Sequence, residues 1–112
     1  MRNFNLFMDA DPPPGGERFD QILAHDNLVI ERIVSSADLP PREYAQFQDE
    51  WVLLLRGEAE LEAAGERVRL ASGDHLFLPA GMPHSVLQTS EGAIWLAVHL
   101  HPRHPGPSQT PR

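Results

Sequence analysis

The chain reads as all-β, and three observations carry that reading. Its apolar residues fall in short runs, many of them β-branched or alternating with polar neighbours. Glycine and proline punctuate those runs, with 8 Gly and 11 Pro in 112 residues. Helical periodicity is confined to one brief stretch near the start, and no repeat of 20–50 residues is present. A chain this short holds one hydrophobic core, and folding buries roughly two-thirds of its surface. It contains no cysteine, which excludes a disulfide scaffold, a Cys-bound zinc and a thiol nucleophile.

The elements follow in order. Residues 1–16 end in Pro12-Pro13-Pro14-Gly15-Gly16 and read as a flexible lead-in. Glu17 to Ala24 places Phe19, Ile22 and Leu23 at helical spacing, which predicts one or two helical turns. Leu28–Val34 is a β-branched strand closed by Ser35-Ser36. Trp51–Leu55 is an unbroken apolar run, as for a strand buried on both faces. Beyond Gly57, Glu58, Glu60 and Glu62 alternate with Ala59, Leu61 and Ala63. Past Ala64-Gly65, Arg67 and Arg69 alternate with Val68 and Leu70. A two-residue hairpin loop at Ala64-Gly65 sets Glu62 opposite Arg67, Glu60 opposite Arg69, and Leu61 against Val68 inside. Three more strands follow, at His75–Leu78, His84–Gln88 and Ala93–Leu100. Residues 102–112 are proline-rich and expected to be flexible; His104 there and His101 just before suit solvated histidines better than a metal tract. The barrel domain is therefore expected over residues 17–101.

Charge narrows the partners. With 9 basic and 16 acidic side chains the net charge is −7, a poor match to nucleic acid or an anionic membrane surface. No apolar run approaches the ~20 residues that span a bilayer, and the first residues lack a signal-peptide pattern. A cytoplasmic location is expected.

One spacing carries chemistry: Gly73, five residues, Pro79, one residue, Gly81, two residues, His84. Its chance expectation in this composition is roughly 0.003 over about 100 start points. Gly73-Asp74 turns into a strand, Pro79 ends it, Gly81 reverses the chain, and His84 opens the next strand. This spacing resembles the second motif of the cupin superfamily, with Gln88 in place of its closing Asn. Glu50 followed by Gly57 is similar to the second half of the first cupin motif, whose two histidine positions hold Tyr44 and Gln46 here. The resemblance covers about residues 28–100. It is nearest to small single-domain cupins with runs like Asp49–Leu55 and Ile94–His99. It implies a double-stranded β-helix, the jelly-roll barrel, with the short helical segment before it.

Strand alternation then assembles a pocket. Tyr44, Gln46, Gln48 and Glu50 share one face if their strand is continuous; so do His84, Val86 and Gln88, and so do Trp95, Ala97 and His99. The expected site comprises Glu50 and His84 as acid–base groups, with Tyr44, Gln46, Gln48, Gln88 and Trp95 around the ligand. Glu50, His84, Gln46 and His99 form a candidate ligand set for a divalent iron, manganese, nickel or zinc ion. With such a metal, the resemblance implies an oxygenase- or isomerase-like enzyme acting on a small polar or organic-acid compound. The alternative is a metal-free module that binds or senses a small polar ligand, with no cofactor. A third reading is an interaction or stability domain with a vestigial pocket. His75 reads as structural, and Ser85 faces away from His84, which argues against a Ser-His nucleophile pair. A homodimer is expected through edge strands, with Phe4, Leu6 and Phe7 at its interface.

Overall fold

The computed structural model describes residues 1–40 and 42–103. Most of the Pro-rich tail, including His104, lies outside the described residues. Nine strands are present among them: β1 (Glu17–His25), β2 (Leu28–Ser35), β3 (Glu43–Tyr44), β4 (Asp49–Arg56), β5 (Glu58–Ala63), β6 (Glu66–Ala71), β7 (His75–Leu78), β8 (His84–Thr89) and β9 (Ala93–Leu100). They form a five-stranded sheet, β1-β2-β9-β4-β7, and a four-stranded sheet, β3-β8-β5-β6. Every pairing is antiparallel. Inward residues of the two sheets, among them Ile33, Val52, Leu54, Leu61, Leu78 and Trp95, make one core. Leu54 is fully buried, a side chain whose burial contributes about 2 kcal/mol.

The expected helical turns at 17–24 are strand β1. The helical spacing of Phe19, Ile22 and Leu23 has another cause: the β1–β2 register slips between Gln21 and Leu23, a bulge at Ile22 that breaks strict alternation. All three side chains are exposed, so they are no helical core stripe.

The β5–β6 hairpin has the register its charges specify: Glu62 opposite Arg67, Glu60 opposite Arg69, Leu61 opposite Val68. Ala64 and Gly65 sit at φ 51° and 81°, the pair of positive values that a type I′ turn requires. The ion pair runs diagonally, from Arg67 Nη1 to Glu60 Oε1 at 3.4 Å, rather than straight across. Strand β4 alternates, with Glu50, Val52 and Leu54 buried and Trp51, Leu53 and Leu55 half-buried; it is not sealed equally on both faces.

The lead-in packs on the outer face of the five-stranded sheet. Arg32, only 7% exposed, donates to the carbonyls of Leu6, Met8 and Asp9 and to the Asp20 carboxylate. Arg18 adds bonds to the carbonyls of Asp9 and Asp11. Phe4 and Phe7 remain exposed and Leu6 half-buried, with the Arg56 guanidinium 4.8 Å from the Phe7 ring centre. No helix of the described residues is long and apolar enough to cross a membrane.

Candidate functional site

The glycine–proline turn places the imidazole. Gly73 and Gly81 adopt φ 95° and 82°, a region that L side chains rarely enter. The Gly81 amide donates to the Gln46 carbonyl at 2.7 Å and the Met82 amide to Pro79 O at 3.1 Å. This tight reversal starts β8 with His84 facing inward, 5% exposed. Its Nδ1 lies 3.2 Å from the Met82 carbonyl. A carbonyl only accepts, so Nδ1 carries a proton and donates it to Met82. Tyr44, directly opposite His84 in the β3–β8 pairing, stacks on the ring at 5.7 Å between centroids.

Glu50 reaches the same interior from β4, one residue past the start of that strand, and is 1% exposed. Tyr44, Glu50, His84 and Trp95 together line a cavity of about 30 Å³, along with Glu17 and apolar side chains that include Ile33, Val52 and Leu78. Trp95 supplies a wall, its indole N–H donating to Ser35 Oγ at 3.1 Å. Ser35 Oγ in turn donates to Glu17 Oε2 at 2.9 Å.

His99 also faces inward, 3% exposed, but acts as a bridge next to the cavity. Its Nδ1 is 3.3 Å from Gln48 Nε2 and its Nε2 is 2.8 Å from Glu31 Oε1. A carboxylate only accepts, so Nε2 carries a proton that points at Glu31. Glu50 Oε2 lies 3.9 Å from that same Nε2, so one imidazole stands between two carboxylates. His101 stacks on His99 at 6.3 Å. Burial first, and then the nearby His99 charge, hold the His101 pKa below the usual imidazole value.

Several expected members lie elsewhere. Residues 44–50 are not one strand: β3 ends at Tyr44 and β4 begins at Asp49, so alternation does not carry through Gln46 and Gln48. Neither lines the cavity; Gln48 is buried against His99, and Gln46 holds a buried Nε2 without a hydrogen-bond partner. Gln88 is outside. The β5–β8 register shifts so that Leu61 faces Val86 and Glu60 faces Gln88, and the extra residue, Leu87, exchanges the two faces of β8 beyond it. Thr89 is therefore buried and Gln88 exposed. Gln88 borders a separate, outer groove of about 480 Å³ with Glu58, Glu60, Arg69 and Asp74. His75 is exposed and leans on Trp51.

The donor set does not fit a divalent ion. Both ring nitrogens of His99 are engaged by Gln48 and Glu31, which leaves His84 as the cavity's imidazole donor. Among the described residues no three His, Asp or Glu side chains converge as a metal would require.

Sequence reading missed Glu17 and Glu31. Glu31 has a visible signal, a charged residue inside the apolar run Leu28–Val34. Glu17 has none, because its inward direction is set by pairing with Ser35.

A two-sheet antiparallel barrel with its polar groups gathered inside defines a small β-barrel of the ligand-pocket type. The family pattern described as "Cupin domain" matches residues 37–99, and the chain belongs to the cupin family. Among solved structures, a candidate mannose-6-phosphate isomerase from Ralstonia eutropha JMP134 is 36% identical, covers 91% of this chain and 100% of its own, and superposes at a TM-score of 0.81. The TT1209 protein of Thermus thermophilus shares 22% identity over 90% of this chain and 98% of its own, at TM-score 0.79. KdgF from Halomonas sp. shares 18% over 83% and 86%, at TM-score 0.72. No curated protein matches by sequence.

Proposed function

We propose that this cupin binds a small polar molecule in its barrel cavity without a metal, recognising it through Glu50 and His84. One observation carries the reading: a carboxylate 1% exposed and an imidazole 5% exposed line the same cavity. An apolar residue of similar volume at position 50 would serve packing alone. The cavity reaches solvent past Tyr44, Glu17 and Val86, which are only half-buried, so a ligand has a way in.

The Ralstonia neighbour favours a second reading, isomerisation of a phosphorylated sugar. Gripping a phosphate calls for arginine or lysine, and neither is among the residues lining this cavity. The same absence weighs against an organic acid. Arg42 lies 5.0 Å over the Tyr44 ring, but its side chain is on the exposed surface.

Elemental analysis of untagged protein, paired with a thermal-shift screen of small metabolites, tests the proposal. The expected result is substoichiometric transition metal and a ligand-induced shift abolished by His84→Ala. Stoichiometric metal lost in His84→Ala would replace this reading with a metal-dependent one.

We also propose a homodimer. β1 is an edge strand of the five-stranded sheet and carries the exposed apolar side chains Phe19, Ile22 and Leu23, and such edges invite pairing.

A further inference from the structure

We propose that a second copy of this chain packs on the outer face of the five-stranded sheet, each copy's lead-in seated on an open apolar row of the other; this rests on the homodimer proposed above and assigns it a face. The row follows from the strand registers. Leu23 stands opposite Ile30, Ile30 opposite Val98, Val98 opposite Trp51, and Trp51 opposite Phe77. Residues directly opposite share a face, so one apolar row crosses all five strands. Glu50 and Leu78, the chain neighbours of Trp51 and Phe77, are buried toward the core, so the row points outward. Phe77 is 59% exposed and Leu23 is exposed too, while Ile30, Trp51 and Val98 are half-buried. On either side of the row Leu28 pairs with Leu100 and Leu53 with Leu96. No member of the row is charged.

The same face carries the complement of that row. Toward its other end Arg18 and Arg32 hold the carbonyls of Leu6, Met8, Asp9 and Asp11, and the outward-facing Val34 and Ile94 are fully buried. The lead-in thus covers one half of the sheet and leaves the row open. Its own apolar side chains Phe4, Phe7 and Met8 stay exposed, Met8 at 66%. One half of the face is raised by a layer of chain, the other is not, and both present apolar groups. A two-fold axis in the plane of contact, running across the strands, turns the raised half of each copy onto the open row of the other, and the same contact forms twice. The extent is adequate. The three central strands are eight residues long, and five strands about 4.8 Å apart at about 3.3 Å per residue make a face of roughly 20 by 25 Å. A standard interface buries about 800 Å² on each partner, an area that such a face with its raised lead-in can supply. Charge agrees as well: two chains of net charge −7 repel each other, and they do so least where a row without carboxylates is the meeting place.

Two readouts on the full-length chain test this: light scattering behind a sizing column, and quenching of tryptophan fluorescence by iodide. The chain has two tryptophans. Trp95 is buried in the core and Trp51 belongs to the row, so a water-borne quencher reports on the face. The parent is expected to be a dimer in which Trp51 is shielded. Phe77→Lys on β7 and Met8→Lys in the lead-in, both at exposed positions, should each weaken the dimer by roughly thirtyfold or more, because a two-fold contact loses the same anchor twice. Each should also open Trp51 to iodide. Pairing through the β1 edge alone predicts otherwise, since β7 is the far edge of the sheet: Leu23→Lys would then dissociate a dimer that Phe77→Lys and Met8→Lys leave intact. Should Phe77→Lys fail to fold, Met8→Lys and its quenching decide alone. A dimer retained at parental strength by either folded variant would overturn the face-to-face contact and leave the homodimer standing. A monomeric parent would overturn both.

Discussion

Asp20 shows how a single carboxylate is tuned by what surrounds it. Burial alone would raise its pKa, but hydrogen bonds from Arg32 and Arg18, and their charges, outweigh that and hold it below 3.8. A depressed carboxyl contributes stability that is complete above its unfolded value and is lost as pH falls through the lower folded one. Asp20→Asn is accordingly expected to be less stable than the parent at pH 7, with the gap closing below pH 3.8. Urea melts at several pH values would show it; a gap that persists in acid would mean that the Arg32 contacts, not the charge, carry the effect. Glu50 is tested by its closest isostere. Glutamine keeps its shape and removes the carboxylate, so Glu50→Gln should abolish the ligand-induced thermal shift while the protein stays folded. A drop in Tm would assign Glu50 a mainly structural role. Glu50 and His84 were legible as inward-facing residues because their spacing to Gly57 and Gly73 is encoded locally. Glu17 and Glu31 were not, because their direction depends on partners elsewhere in the chain.

At the scale of strands and turns, legibility tracks how local the determining forces are. The β5–β6 hairpin could be read to the residue, since its charges and its turn lie within one stretch. The faces of β1 and β8 could not: each carries one surplus residue, and a bulge inverts the alternation beyond it. Two turn positions are open to measurement. Ala64 occupies φ 51°, which costs an alanine about 1 kcal/mol, so Ala64→Asn should gain about 0.5–1 kcal/mol in denaturant melts. Gly57 is the contrary instance. At φ 98°, an added Cβ would meet Ser90 Oγ at 2.5 Å and Ala93 Cβ at 3.1 Å. Gly57→Ala should therefore cost about 2–3 kcal/mol; a loss near zero would mean that the β4–β5 corner and Ser90 move apart freely.

For the molecule as a whole, the barrel was foreseeable from the motif, but the order of strands in each sheet was not, because sequence distance says little about which strands meet. The proposed assembly rests on those edges. Light scattering behind a sizing column is expected to report a dimer, and Leu23→Lys, which puts a charge on the β1 edge, to shift it to monomer. A monomeric parent protein would remove β1 from consideration as an interface. The arrangement has one more result, for how the chain is made. Strand β9 lies at the middle of the five-stranded sheet, between β2 and β4, yet it is the last strand described. A ribosome that has released residues 1–92 has therefore delivered both halves of that sheet without the piece that joins them. Closure of this fold must wait until β9 has been made, and Trp95, which arrives with β9, is a built-in fluorophore for timing it.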